Sequence, residues 1–137
     1  MIDHEFSYVV EGRPVTWQRD NVVMAKVGSG KATRLRYISD AKTKAGERAH
    51  RLPATLALTE ALGRPVTFRD MDGEFYVGVI GFWPDGRHGD CDRLLTLVMD
   101  ALQGVAYHED RQVKMTACTV LTDKARPRVE VFVRRIG

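Results

Sequence analysis

Two short acidic groupings in this 137-residue chain have the makings of a reactive site, Asp90-Cys91-Asp92 and Glu109-Asp110. Carboxylates are hard oxygen donors, so three of them brought together would hold Mg²⁺, with Mn²⁺ as an acceptable substitute, and leave room for water. Without a cation, like charges held close repel and raise one or more of their pKa values, so their proximity would itself call for an ion. Asp90 and Asp92 cannot share an ion from the middle of a helix, because residues two apart point roughly 200° apart. At the junction of a loop and a first turn they can, with Asp90 at or before the N-cap and Asp92 inside the helix, where the macrodipole favours negative charge. Taken alone, Asp-x-Asp is equally a helix cap or a surface ion pair, and Glu109-Asp110 a polar turn. Their combination on either side of one helix makes the two acidic pairs, Asp90 with Asp92 and Glu109 with Asp110, candidate catalytic and metal-holding residues. Asp100 falls outside the set, since eight residues beyond Asp92 is ~12 Å of helical rise; a local hydrogen bond or ion pair is its expected role.

The distribution of charge says what such a site would act on. Between Arg13 and Arg51 ten basic residues stand against three acidic ones, a local balance of +7 in a chain whose net charge is only +3, so the remainder carries −4. A basic surface beside an acidic cluster suits a protein that grips a polyanion with one part and holds a cation with another. A solvated basic face without a partner is the plainer alternative.

Other chemistries fit less well. Gly28-Ser29-Gly30-Lys31 has the flavour of a phosphate loop, but Ala25 stands where the first glycine belongs and Ala32 where Ser or Thr should follow. His88, Cys91, His108 and Cys118 match no tight zinc spacing. Cys91 and Cys118 are too few for a disulfide framework, and free thiols are expected. Trp17, Trp83 and Phe82 are candidates for stacking on unpaired bases, with core packing as the commoner fate, above all for Phe82 in its apolar run. No stretch approaches the ~20 apolar residues of a membrane helix, and Met1-Ile2-Asp3-His4-Glu5 is acidic where a secretory signal would be basic, so a cytoplasmic protein without membrane contact is expected.

The elements that must position these residues follow from pattern. The length suits one domain spanning 1–137, and with 44% apolar and 28% charged residues the chain should fold rather than stay disordered. Phe6 to Val10 has strand composition, and residues 21–38 look like a hairpin or a mobile basic flap around Gly28-Ser29-Gly30. Ser39 or Asp40 can cap a helix running from Ala41 toward Leu62, which Pro53 should split into two pieces. The run from Gly73 to Trp83 is nearly continuous in β-branched and aromatic residues, a central strand closed by Pro84-Asp85-Gly86. Leu94, Leu97, Val98, Ala101 and Leu102 fall at i, i+3, i+4, i+7 and i+8, one buried stripe of a helix ending near Gly104. Gln112 to Leu121 and Arg128 to Arg134 then predict two strands joined as a terminal hairpin. The expected class is α+β, a mixed or antiparallel sheet packed with two main helices.

Asp90-Cys91-Asp92-Arg93-Leu94-Leu95-Thr96, Asp100-Ala101-Leu102 and Glu109-Asp110-Arg111-Gln112 together resemble the RusA family of Holliday junction resolvases. That family carries Asp-x-Asp-Asn-x-x-Lys leading into a helix with Asp-Ala-Leu, followed by an acidic pair and Gln. Looser likenesses lie in Gly12-Arg13-Pro14 with Arg19, and in Tyr37 followed by Lys42-Thr43-Lys44. The resemblance implies a homodimeric nuclease that binds four-way DNA junctions and nicks them in pairs, with Mg²⁺ held by the positions matching Asp90, Asp92 and Asp110. It departs from the pattern at two places, Arg93 for the motif asparagine and Thr96 for the motif lysine. Since Thr96 cannot carry the charge, Arg93, Arg87 or Lys114 would supply it, or catalysis would be slow. Arg13, Arg19, Lys42, Lys44, Arg87, Arg93 and Lys114 are the expected contacts to DNA phosphates. A non-catalytic binder of branched DNA using the same basic surface is the rival reading.

Overall fold

Apolar and polar residues alternate in Phe6-Ser7-Tyr8-Val9, as a strand with one wet face requires. In the computed structural model this segment is β1 (Glu5–Glu11), with Phe6 and Tyr8 buried and Glu5, Ser7 and Val9 exposed. The structure describes residues 4–17, 23–27, 34–38 and 41–137, with side chains described for 4–17 and 41–137. Arg19, the Gly28-Ser29-Gly30 turn and the capping pair Ser39 and Asp40 lie outside the described residues. β2 (Val23–Val27) and β3 (Arg34–Ile38) pair antiparallel, Val23 opposite Ile38, in agreement with the hairpin, one of the two forms expected for this stretch.

The main sheet has four strands in the order β1-β6-β4-β5, where β4 is Phe75–Trp83, β5 is Val113–Thr122 and β6 is Arg128–Arg135. β6 runs antiparallel to both β1 and β4, whereas β5 runs parallel to β4, so the sheet is mixed. The expected terminal hairpin is therefore not formed: β4 lies between the last two strands. Burial supplies the reason. β4 is buried at most positions and needs a partner on each edge, β6 brings Val129, Val131 and Val133 to the core, and the largely exposed β5 is suited only to an outer position. The turn between β5 and β6 crosses the end of β4, where the Asp123 N–H donates to the Trp83 carbonyl at 2.8 Å.

Parallel neighbours need a crossover, and here it is α2 (Cys91–Leu102). All five residues of the predicted stripe, Leu94, Leu97, Val98, Ala101 and Leu102, are buried. The helix stops before Gly104, whose φ of 78° is a conformation that glycine adopts without steric cost. α1 (Ala41–Leu62) is one helix of 22 residues that passes through Pro53 without the predicted break. The proline ring forfeits a backbone hydrogen bond, but His50 before it and Ala54 and Leu58 after it are buried, and that packing keeps both halves in one unbroken helix. α1 and α2 meet at Gly46, where an added Cβ would lie 2.7 Å from Val15 and 3.1 Å from Leu97.

His50 shares a 2.9 Å hydrogen bond between its Nδ1 and the Tyr8 hydroxyl, and burial brings its pKa down to about 4. The ring is therefore neutral at pH 7 and serves as core. Phe82 departs from expectation: it is only half buried, on the sheet face away from the helices, with the Arg128 guanidinium 3.8 Å over its ring. Trp83 is buried. Among the described residues no helix is long and apolar enough to cross a membrane.

Candidate nuclease site

The chain leaves β4 at Trp83 and enters a loop whose conformation is set by charge. The Asp85 carboxylate accepts from the Arg87 N–H at 2.9 Å and from Arg13 Nη1 at 3.1 Å, which hold it below the usual carboxylate range, and Arg13 Nη2 donates to the Arg87 carbonyl at 3.2 Å. These contacts tie the loop to the segment after β1. That segment packs against Gly89, where a Cβ would come within 2.6 Å of the Thr16 methyl and 3.0 Å of the Trp83 ring. Its last described N–H, of Trp17, donates to the Arg93 carbonyl at 3.1 Å. A glycine here thus lets Thr16 and Trp17 sit directly beside the start of α2.

Asp90 is the N-cap of α2, as its position in the sequence predicted, and its carbonyl accepts from the Leu94 N–H at 3.0 Å. Its side chain makes no capping hydrogen bond and is 77% exposed, with Arg93 Nε 3.7 Å away. Asp92 lies in the first turn and is exposed. Thr96, at the motif lysine position, donates its hydroxyl to the Asp92 backbone carbonyl at 2.8 Å. Two carboxylates therefore stand at a helix N-terminus with their oxygens uncommitted to capping, in a place where negative charge is favoured.

Asp110 sits beyond the other end of α2, in the 3-10 turn Asp110–Gln112 that leads into β5. Gln112 fixes this turn. Its Oε1 accepts from the His108 and Glu109 N–H groups at 2.8 and 2.9 Å, and its Nε2 donates to the Met71 and Gly73 carbonyls at 2.8 and 3.0 Å. His108 is held to Asp72 at 2.8 Å, and Glu109 pairs with Arg111. The buried Tyr107 hydroxyl donates to the Met99 carbonyl at 2.7 Å; burial first, and then Asp110 and Asp100, push its pKa up strongly.

The acidic neighbour of Asp110 is Asp100. Burial and then Asp110 raise the Asp100 carboxyl, against a 3.4 Å hydrogen bond from Gln103 that lowers it. Glu47 of α1 is raised in turn by burial and then by Asp100. Sequence reasoning set Asp100 aside on axial distance, although Asp92, Thr96 and Asp100 recur at i, i+4 and i+8 and so share a helix face; that recurrence was the available signal. Glu47 had none, because only the packing of α1 on α2 brings it there.

Among the described residues no group of three His, Cys, Asp or Glu is arranged to hold a metal ion. Asp90, Asp92 and Asp110 therefore do not stand as a preassembled three-carboxylate cage. The exposed pair Asp90 and Asp92 nevertheless fits a hard cation such as Mg²⁺, which accepts one or two carboxylates and fills its other positions with water and phosphate oxygens. Of the expected DNA contacts, Arg13, Arg87 and Arg93 gather around the loop and the helix start. Lys114 is exposed at the start of β5, and Lys42 and Lys44 are exposed at the start of α1.

No curated protein matches the chain. The family model for Endodeoxyribonuclease RusA matches residues 70–134, from the 3-10 turn Phe68–Met71 into β6. The helix, the strands that frame it and all three candidate aspartates lie inside that match, and over those residues the chain is similar to the endodeoxyribonuclease RusA family.

Proposed function

We propose that the chain is an endonuclease of branched DNA that uses Mg²⁺, or Mn²⁺ in its place, and that it acts in the cytoplasm as a homodimer, resolving four-way junctions by paired nicks. The observation that carries this reading is the pair of exposed carboxylates, Asp90 and Asp92, at the N-terminus of α2 and beside Arg13, Arg87 and Arg93, within the stretch that is similar to a nuclease family. When bound, the ion supplies charge neutralisation at the phosphate and an activated water for phosphodiester hydrolysis.

The residues of the chain do the rest. Asp90 and Asp92 would hold the cation, with Asp110 as the third carboxylate of the proposed set. Arg87 and Arg93 draw the phosphate to the carboxylates and offset the charge that Thr96 lacks. Arg13, Arg19, Lys42, Lys44 and Lys114 hold flanking phosphates without reading sequence, so affinity falls steeply with salt. A two-fold dimer presents two such sites to a junction, which makes paired cleavage a consequence of symmetry.

The absence of a preformed cage among the described residues, together with threonine in place of the motif lysine, favours a second reading, a branched-DNA binder that cleaves weakly or not at all. One experiment separates the two. Labelled four-way junction, flap and duplex DNA are incubated with wild type and Asp92→Asn, with and without Mg²⁺, and nicking is scored apart from binding. Asp92→Asn should retain junction binding and lose nicking by about 100-fold or more. Nicking at the wild-type rate would remove the metal role from Asp92, and wild type that binds but never nicks with Mg²⁺ would favour the binder.

A further inference from the structure

Cys91 and Cys118 are far apart in sequence, yet their side chains meet where α2 packs on β5. Cys91 is the first residue of α2, between the two exposed aspartates, and Cys118 lies in the middle of the outer strand. Each thiol points at the other residue: Cys91 Sγ is 3.5 Å from the Cys118 carbonyl oxygen and Cys118 Sγ is 3.5 Å from the Cys91 carbonyl oxygen. Both residues are partly exposed and neither is in a disulfide. Among the described residues no third His, Cys, Asp or Glu completes a metal site around them.

Each thiol lies against the backbone of the other residue, which brings the two cysteines close enough together to be candidates for a disulfide. We propose that Cys91 and Cys118 are a dithiol modification site, converted by low-molecular-weight disulfides into an intramolecular disulfide that clamps the Asp90–Asp92 turn to β5 and suppresses nicking. The thiolate of one cysteine attacks a sulfur of the small disulfide, forming a mixed disulfide and expelling one small thiol. The second cysteine then attacks the protein sulfur of that mixed disulfide and expels the other small thiol. Two protein thiols are oxidised, one small disulfide is reduced to two thiols, and no other oxidant is needed. The bond would fix the first turn of α2, which carries Asp92, against β5. The clamp's effect on activity rests on the nuclease reading above, whereas the modification site does not.

The test equilibrates the full chain with mixtures of oxidised and reduced glutathione, quenches in acid, and follows mass, free thiols and the Cys91–Cys118 cross-linked peptide. The expected product has lost both free thiols, carries no glutathione and returns to the starting species with dithiothreitol. Under the same conditions Cys118→Ser should stop at a mixed disulfide on Cys91, and Cys91→Ser provides the reciprocal check. Wild type that accumulates glutathione adducts, or keeps both thiols free where a simple dithiol is fully oxidised, overturns the site. Junction nicking by the oxidised chain should fall on the order of tenfold or more and recover on reduction, with a Cys91→Ser, Cys118→Ser double variant indifferent to the glutathione ratio. An oxidised chain that nicks at the reduced rate overturns the clamp. A reduced chain that never nicks counts against the nuclease reading and leaves the thiol result standing.

Discussion

Asp90 and Asp92, at the N-terminal end of α2, commit no carboxylate oxygen to capping the helix, whereas the turn that carries Asp110, beyond the other end, is fastened by four hydrogen bonds from Gln112 alone. The first end keeps its charge in solvent and available to a ligand. The second end commits its polar groups to position, burying Tyr107 and half-burying Asp100 beside Asp110. The contrast teaches that the two acidic groups are not equivalent halves of one rigid cage. Substitution at the open end should change function with little effect on stability, while substitution at the fastened end should change both.

The largest effect expected from this contrast belongs to Gln112→Ala. It leaves the His108 and Glu109 N–H groups and the Met71 and Gly73 carbonyls without their partner, so thermal unfolding should move down by about 5–10 °C. Junction nicking should fall with it by roughly tenfold, because the Asp110 turn loses its anchor. An unchanged midpoint by circular dichroism would break the comparison, since the second end would then be no better fastened than the first.

Thr96→Lys probes the face between the two ends. A lysine there follows Asp92 by one turn and precedes Asp100 by another, and its ion pair with Asp92 should by itself add only ~0.3–0.5 kcal/mol to stability. Single-turnover nicking should nonetheless rise by roughly an order of magnitude as a cation returns near the phosphate. No gain would mean that Arg87 or Arg93 already fills that role.

The smallest effect concerns Asp100. Its folded pKa is raised by burial and by Asp110, so the carboxyl favours folding most when protonated, below its unfolded pKa, and loses that contribution as pH rises through the folded value. Asp100→Asn removes the titration. At pH 7 the variant should therefore melt about 1–2 °C higher than wild type, with the difference disappearing at acidic pH where Asp100 is neutral. Melting curves at pH 3.5 and pH 7 read this directly, and a difference that grew on acidification would reverse the assigned environment.

Local pattern carried a good part of the molecule. The stripe of Leu94, Leu97, Val98, Ala101 and Leu102 needs only helical periodicity, and Asp90 as N-cap with Asp92 in the first turn follows from where that stripe begins. The alternation of β1 and β6, the apolar run of β4 and the antiparallel pairing of β2 with β3 were equally legible, because burial of one face or two leaves its signature in neighbouring residues. The motif around Asp90, Asp92 and Asp110 was visible for the same reason, as spacing along a line.

What only the tertiary structure decided is partnership between distant segments. A period-two pattern does not say whether β6 pairs with β5 or reaches past it to β4, and the competition for the edges of the most apolar strand settled that. A proline predicts a broken helix until packing on both sides of it outweighs the missing hydrogen bond, as in α1. The pairing of Asp100 with Asp110, the approach of Glu47 and the meeting of Cys91 with Cys118 are products of the same packing. Residue types and short-range spacing state which chemistry a chain can attempt, but distances between side chains depend on the balance of burial over the whole fold, which no single segment contains.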